Sequence, residues 1–128
     1  MQPVISTRDY AVIMSIIANL PNSEKTKETR QLLVELDKAE KVDILKIPND
    51  IIRLNSFVEI MDMDTEKRSN FELTFPKMAS LELKRISILA PLGVALIGFQ
   101  EGMIIDWVLP GGARKIKILK VINEQTKA

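Results

Sequence analysis

ISILAPLGVALIG, residues 86–98, is the stretch on which the fold of this chain turns. It opens as a short apolar strand, Ile86 to Leu89. Pro91 then stands where a helix begins, because a missing N–H and a fixed φ suit the first helical position. That helix is expected to run to about Ile97 and to stop at Gly98. Downstream, Glu101-Gly102 makes a turn into a strand from Met103 to Leu109, with Ile105 and Trp107 on one face. Pro110-Gly111-Gly112 forms a tight turn into a last strand, in which Ile116, Ile118 and Val121 alternate imperfectly with Lys115, Lys117 and Lys120.

Upstream, Phe57, Val58, Ile60, Met61 and Met63 mark a strand from Ser56 to Met63. Asp64 to Asn70 is a polar turn into Phe71, Leu73 and Phe75, which alternate cleanly, so a β-hairpin is predicted. Ala79 to Lys84 reads equally as an extended segment or a loop. Nearer the N-terminus, Tyr10, Ile13, Met14, Ile17 and Leu20 recur at helical spacing, with Ser6 or Thr7 as cap. Pro21 breaks the pattern, Ser23 offers a second cap, and Thr29, Leu32, Leu33, Leu36 and Ala39 outline a second helix. Two such helices joined by a short loop predict an antiparallel hairpin over residues 1–46, a short coiled coil with its tip at Leu20 to Lys27. A connector from Val42 to Pro48 leads to a second part, residues 47–128. The predicted class is therefore α+β: a helical hairpin, then a mostly antiparallel sheet carrying one short helix, with a frayed tail from Glu124.

With 46% hydrophobic and 27% charged residues over 128 positions, the chain has the balance of a folded globular protein. Its longest nearly uncharged stretch, Ile86 to Gln100, falls short of the roughly 20 apolar residues that a membrane-spanning helix needs. MQPVISTRDY does not read as a secretory signal, and the absence of Cys excludes disulfides and thiolate metal sites, so a cytoplasmic location is expected. The absence of His excludes an imidazole base, a Ser-His pair and a His-ligated metal. A net charge of +1 gives no strong footprint for phosphates, so the expected partner is a protein.

In order, ISILAPLGVALIG, the Glu101-Gly102 turn and IIDWVLPGG resemble the C-terminal domain of the Gre-type transcript-cleavage factors. The run IPNDIIRLNSFVEIMDMDTEKRSNFELTFP narrows the resemblance to the regulators of nucleoside diphosphate kinase, a Gre-like group with a shortened hairpin. The resemblance extends over roughly Pro21 to Ile122. It implies an FKBP-like α+β domain that docks beside the secondary channel of RNA polymerase and directs its helical hairpin toward the channel.

What the resemblance implies for docking falls on Leu89, Ala90, Pro91 and Gly93, which match the family's turn between strand and helix. In cleavage-stimulating members, acidic residues at the hairpin tip help to hold a catalytic Mg²⁺, a task for hard oxygen ligands. Here the tip reads NLPNSEKTKET: Asn22 and Glu24 stand at the turn, Lys25 and Lys27 flank it, and Glu28 lies one helical turn further on. Without an Asp-Glu pair, and with arms on the order of 20 Å long, this tip is not expected to stimulate cleavage. The chain is then a binding protein without enzyme activity, metal or cofactor. Arg114, Lys115, Lys117 and Lys120 outline a basic strip on the last hairpin, suited to an auxiliary contact with acidic polymerase surface or nucleic acid.

Two other readings stand beside this one. An FKBP-like prolyl isomerase would need aromatic residues gathered around its substrate, and four Phe, one Tyr and one Trp are scattered here, Phe99 and Trp107 at core-like positions. A homodimer through the broad apolar face of the first helix is the third reading, widened by Val12 and Ile16.

Overall fold

Strands with one apolar face pair edge to edge and bury that face together. The computed structural model, which describes residues 3–109 and 112–123, shows a five-stranded sheet in the order β5-β4-β3-β7-β6. Its strands are β3 (Phe57–Asp62), β4 (Arg68–Thr74), β5 (Arg85–Ser87), β6 (Ile104–Leu109) and β7 (Gly112–Ile122). β3 pairs antiparallel with β4 and β7, and β6 antiparallel with β7. The predicted antiparallel sheet needs correction at one edge, where β5 runs parallel to β4 with Leu73 opposite Ile86. Residues 79–84 form the loop that permits this, closed by reciprocal Ser80 and Arg85 backbone hydrogen bonds. Of the turn expected at Pro110-Gly111-Gly112, the first two residues lie outside the described ones, as does the tail from Glu124.

The imperfect alternation of the last strand has a structural cause. Ile116, Ile118 and Val121 are all buried, although the third is three positions from the second. Ile60 pairs with Ile118 but Glu59 pairs with Lys120, so Leu119 is the extra residue of a β-bulge. The bulge resets the pleat and keeps Val121 on the core side.

The N-terminal part departs further from expectation. Ser6 caps α1 (Thr7–Ala18), its hydroxyl accepting the Asp9 N–H at 3.0 Å. Thr26, not Ser23, caps α2 (Lys27–Lys38), because Ser23 lies inside a 3-10 turn, Asn22–Glu24. Flanking the helices, β1 (Val4–Ser6) and β2 (Glu40–Val42) form a parallel pair where the sequence predicts only a cap region and a connector. The helices touch, yet Ile13, Ile17, Leu32 and Leu36 join the same core as Leu73, Ile88, Leu96 and Ile118 of the sheet part. In place of the predicted short coiled coil, the helices form a pair anchored by β1 and β2 and packed into the common core. Val12 and Ile16 are half-buried, and none of the exposed large apolar side chains among the described residues belongs to α1. The broad face expected to form a dimer surface is largely covered within the chain.

α3 (Pro91–Leu96) lies against β5 and β6 and touches α2, so it is the layer between the sheet and the helix pair. Gly98 ends it with φ +88°, and an added Cβ there would come within 2.7 Å of Pro3 Cβ. That close approach seats β1, whose Val4 N–H donates to the Gly98 carbonyl at 2.9 Å. The fold therefore locks the start of the chain onto the end of the ISILAPLGVALIG segment.

Candidate functional site

The turn into α3 is held from three sides. Ser87 Oγ accepts the Leu89 N–H at 3.0 Å, the Ser87 carbonyl accepts the Ala90 N–H at 3.0 Å, and Ile88 donates to the Thr74 carbonyl at 3.0 Å. Pro91 occupies the first helical turn and is exposed, while Leu89, Ala90 and Leu92 are half-buried. Gly93 is buried, and a Cβ at this position would stand 2.4 Å from the Ser87 carbonyl oxygen. Gly93 therefore sets how closely α3 sits on β5, and the surface offered outward is that of Leu89, Ala90 and Pro91.

Beside this turn opens a cleft of about 470 Å³. Leu92, Ile86, Phe71, Ile60, Ile116 and Trp107 supply its apolar lining, and Asp62, Lys67, Lys84, Arg85 and Arg114 its charged groups. No sequence spacing announces the cleft, since Asp62 and Arg114, which meet as an ion pair across its edge, lie 52 residues apart. The Arg114 side-chain hydrogen bond holds the Asp62 carboxyl below the usual carboxylate range, helped by the N–H groups of Asp64 and Thr65. Arg85 pairs with Glu72 at 3.5 Å. Trp107, expected from the sequence to be core, is half-buried and packs on the core while also lining the cleft; Phe99 packs on the core away from it.

The basic strip is divided between two faces of β7: Arg114 lies on the side of Ile116, and Lys115, Lys117 and Lys120 lie on the other. Arg114 lines the cleft and is paired, Lys115 pairs with Asp106 at 2.9 Å, and Lys120 stands opposite Glu59 in the β3–β7 register. The bulge at Leu119 offsets the three-residue spacing and leaves Lys117 and Lys120 on one face of β7, opposite to Ile118 and Val121. Lys120 borders a second, smaller depression with Phe57, Leu83 and Ile122.

At the opposite end of the helix pair, Asn22, Glu24, Lys25 and Lys27 are exposed. The turn is held by its own backbone, with Glu24 donating to the Pro21 carbonyl at 2.9 Å. Glu28 falls in the first turn of α2, and its side chain lies outside the described ones. Among the described residues no group of three or more acidic side chains is placed to hold a metal ion.

Comparison with known proteins places this arrangement. The family model "Transcription elongation factor, GreA/GreB, C-term" matches residues 47–123. Transcription elongation factor GreA of Bartonella tribocorum is 34% identical over 84 residues, covering 66% of this chain and 54% of that protein. GreA of Nitrobacter hamburgensis is 37% identical over 87 residues, covering 68% of this chain and 55% of that protein. The aligned region thus spans only about half the length of these relatives. A prokaryotic transcription elongation factor GreA/GreB from Nitrosomonas europaea superposes with a TM-score of 0.77 at 30% identity, covering 96% of this chain and 99% of that one. GreA factor homolog 1 of Thermus thermophilus shares the fold alone, at TM-score 0.51 and 18% identity. From the α3 turn, the sheet beneath it and these matches together, the chain belongs to the GreA/GreB family of transcription elongation factors.

Proposed function

We propose that this chain binds RNA polymerase at its secondary channel through residues 47–128, read as the FKBP-like docking domain, and does not stimulate transcript cleavage. The observation that carries the docking reading is the α3 turn. It presents Pro91 to solvent on a backbone made rigid by the Ser87 hydrogen bonds and by the Gly93 contact. A preformed, partly apolar turn loses little freedom on binding, which is what a docking contact requires.

The reading on cleavage rests on the other end of the molecule. Each helix has 12 residues, about 18 Å at ~1.5 Å per residue, and the exposed Glu24 sits between Asn22 and the two lysines Lys25 and Lys27. We assign residues 1–46 the role of occupying or modulating the channel mouth, in the manner expected of a regulator of nucleoside diphosphate kinase type. Lys117 and Lys120 are available for an auxiliary contact to acidic polymerase surface or nucleic acid. Such a protein works in the cytoplasm, beside its polymerase.

Capture of core RNA polymerase by the immobilised chain tests docking: Pro91→Arg is expected to abolish capture and Lys117→Ala to preserve it. Equal capture by both variants would remove the α3 turn from the interface. One observation favours a second reading: Phe71 and Trp107 both line the cleft, as a prolyl-peptide pocket would require. Turnover of a fluorescent prolyl peptide by the purified chain would establish that reading, and none is expected.

A further inference from the structure

The loop at residues 79–84 carries a feature that the docking turn does not account for. Leu81 is 94% exposed, Leu83 is 59% exposed, and Met78, just before the loop, is 51% exposed. Three large apolar side chains are exposed within six residues at a sheet edge, and they divide between two depressions: Leu81 lines the cleft and Leu83 the second depression. The loop is nevertheless ordered: reciprocal Ser80–Arg85 hydrogen bonds of 3.0 and 2.8 Å close its base, and Lys84 takes φ 55° to complete the turn. The backbone thus holds Leu81 out in water, where folding gains nothing from its side chain and a partner that buried it would.

Leu81 also lines the cleft, whose wall includes Leu92, the residue that follows Pro91 of the docking turn. The charge on this surface is lopsided. Arg114 and Arg85 are matched by Asp62 and Glu72. Lys67 and Lys84 stand on the same rim with no carboxylate at ion-pair distance among the described residues.

Building on the polymerase-docking reading, we propose that the cleft takes an acidic segment of RNA polymerase. A bulky apolar side chain of that segment is covered by Leu81, and its carboxylates meet Lys67 and Lys84. Complementary charge steers the encounter and sets register, while the buried apolar contact supplies the central part of the affinity. Nucleic acid would also be drawn to the two lysines, but it has no use for an exposed leucine at the same rim, and a phosphate backbone would not reward its burial.

The test is binding of the full-length chain to core RNA polymerase free of nucleic acid, measured by biolayer interferometry at low and high salt. Leu81→Ser, at a position with no packing to lose, is expected to weaken binding by about tenfold, and Leu81→Phe to retain it. The double variant Lys67→Glu with Lys84→Glu is expected to weaken binding by at least about tenfold at low salt and to flatten the salt dependence. Wild-type affinity in both the Ser and the double Glu variants, with polymerase still captured, overturns this inference and leaves the α3 docking reading in place. Failure of the wild-type chain to bind polymerase at all overturns the docking reading and this one with it. Variants that lose binding only when nucleic acid is added overturn it in favour of a nucleic-acid contact.

Discussion

The carboxylate of Asp9, in the first turn of α1, accepts the main-chain N–H of Leu54 at 3.1 Å across 45 residues of sequence, and so ties the helix pair to the sheet. Asp9 is buried, and this burial pushes its carboxyl above the usual range, against the pull of the Leu54 hydrogen bond and of the Arg53 and Arg8 charges. Arg53 is buried as well, with its Nε unpartnered among the described residues. No ion pair joins the two among the described residues, so the bond to Leu54 is the specific link.

Asp9→Ala should therefore destabilise the fold by about 1–3 kcal/mol, the usual cost of leaving a buried N–H unsatisfied. Asp9→Asn keeps an acceptor and removes the buried charge. A carboxyl whose pKa is raised by folding favours the native state in its protonated form, and that advantage is lost as pH rises through the folded pKa. The stability of Asp9→Asn relative to the wild-type chain is thus expected to rise with pH above about 4 and then level off. Urea unfolding at a series of pH values checks this; a difference that shrinks as pH rises would contradict it.

A second link closes the far end of the sheet. The Asn123 side-chain amide donates to the carbonyls of Asn49 and Ile51 at 2.6 and 2.8 Å and accepts from Ser56 Oγ, which itself accepts the Arg53 N–H at 2.7 Å. Asn123→Ala should cost about 1–3 kcal/mol, and Asn123→Asp, which keeps the acceptor but not the donors, should not restore the loss. Thermal unfolding of the two variants decides the matter.

Gly93→Ala drives a methyl group against the Ser87 carbonyl, with Leu73 Cδ1 and Ile88 Cα also within 3.1 Å. Backbone on one side and a buried leucine on the other leave little room to yield, so a destabilisation of about 1–3 kcal/mol is expected. Because α3 would shift as well, polymerase capture should fall in parallel. Normal stability with lost capture would instead make Gly93 a direct contact.

For Asp62, held low first of all by its hydrogen bond to Arg114, the stabilising effect is present above the unfolded pKa and lost as pH falls through the folded one. Arg114→Ala should move the Asp62 carboxyl titration upward in an NMR experiment. An unchanged midpoint would mean that the Asp64 and Thr65 N–H groups suffice.

At the hairpin tip, the full-length chain added to a backtracked polymerase complex is expected to leave the transcript uncleaved. Replacing Lys25 with Asp, beside Glu24, tests whether the missing acidic pair is the reason. Cleavage by the unmodified chain at the rate of a cleavage factor would make it a cleavage factor itself and exclude a purely channel-occupying role.

Much of the sheet part was legible in the sequence because its signals are local. Pro91 sets a helix start, Gly98 sets its end, and Phe71 and Leu73 declare their face by strict alternation. The break in alternation between Ile118 and Val121 was also visible, but only the pairing with β3 shows it to be a bulge. The direction of β5 was not legible, since three residues carry the same pattern in either orientation. Ser23 and Thr26 are both competent caps, and only the 3-10 turn at Asn22–Glu24 chose between them.

Residue types and their spacings were enough to place both long helices, the strands of the main sheet and the turn at Leu89 to Pro91, because these signals act over one or two turns of chain. Folding in three dimensions was needed to join the helix pair to the common core through β1 and β2, and to take Arg114 from the lysine strip to Asp62. It also placed Leu81 over a cleft walled by β3, β4, β6 and β7. The reason is physical: a surface assembled from segments tens of residues apart is set by strand register and helix packing, and neither has a period that can be read along one strand.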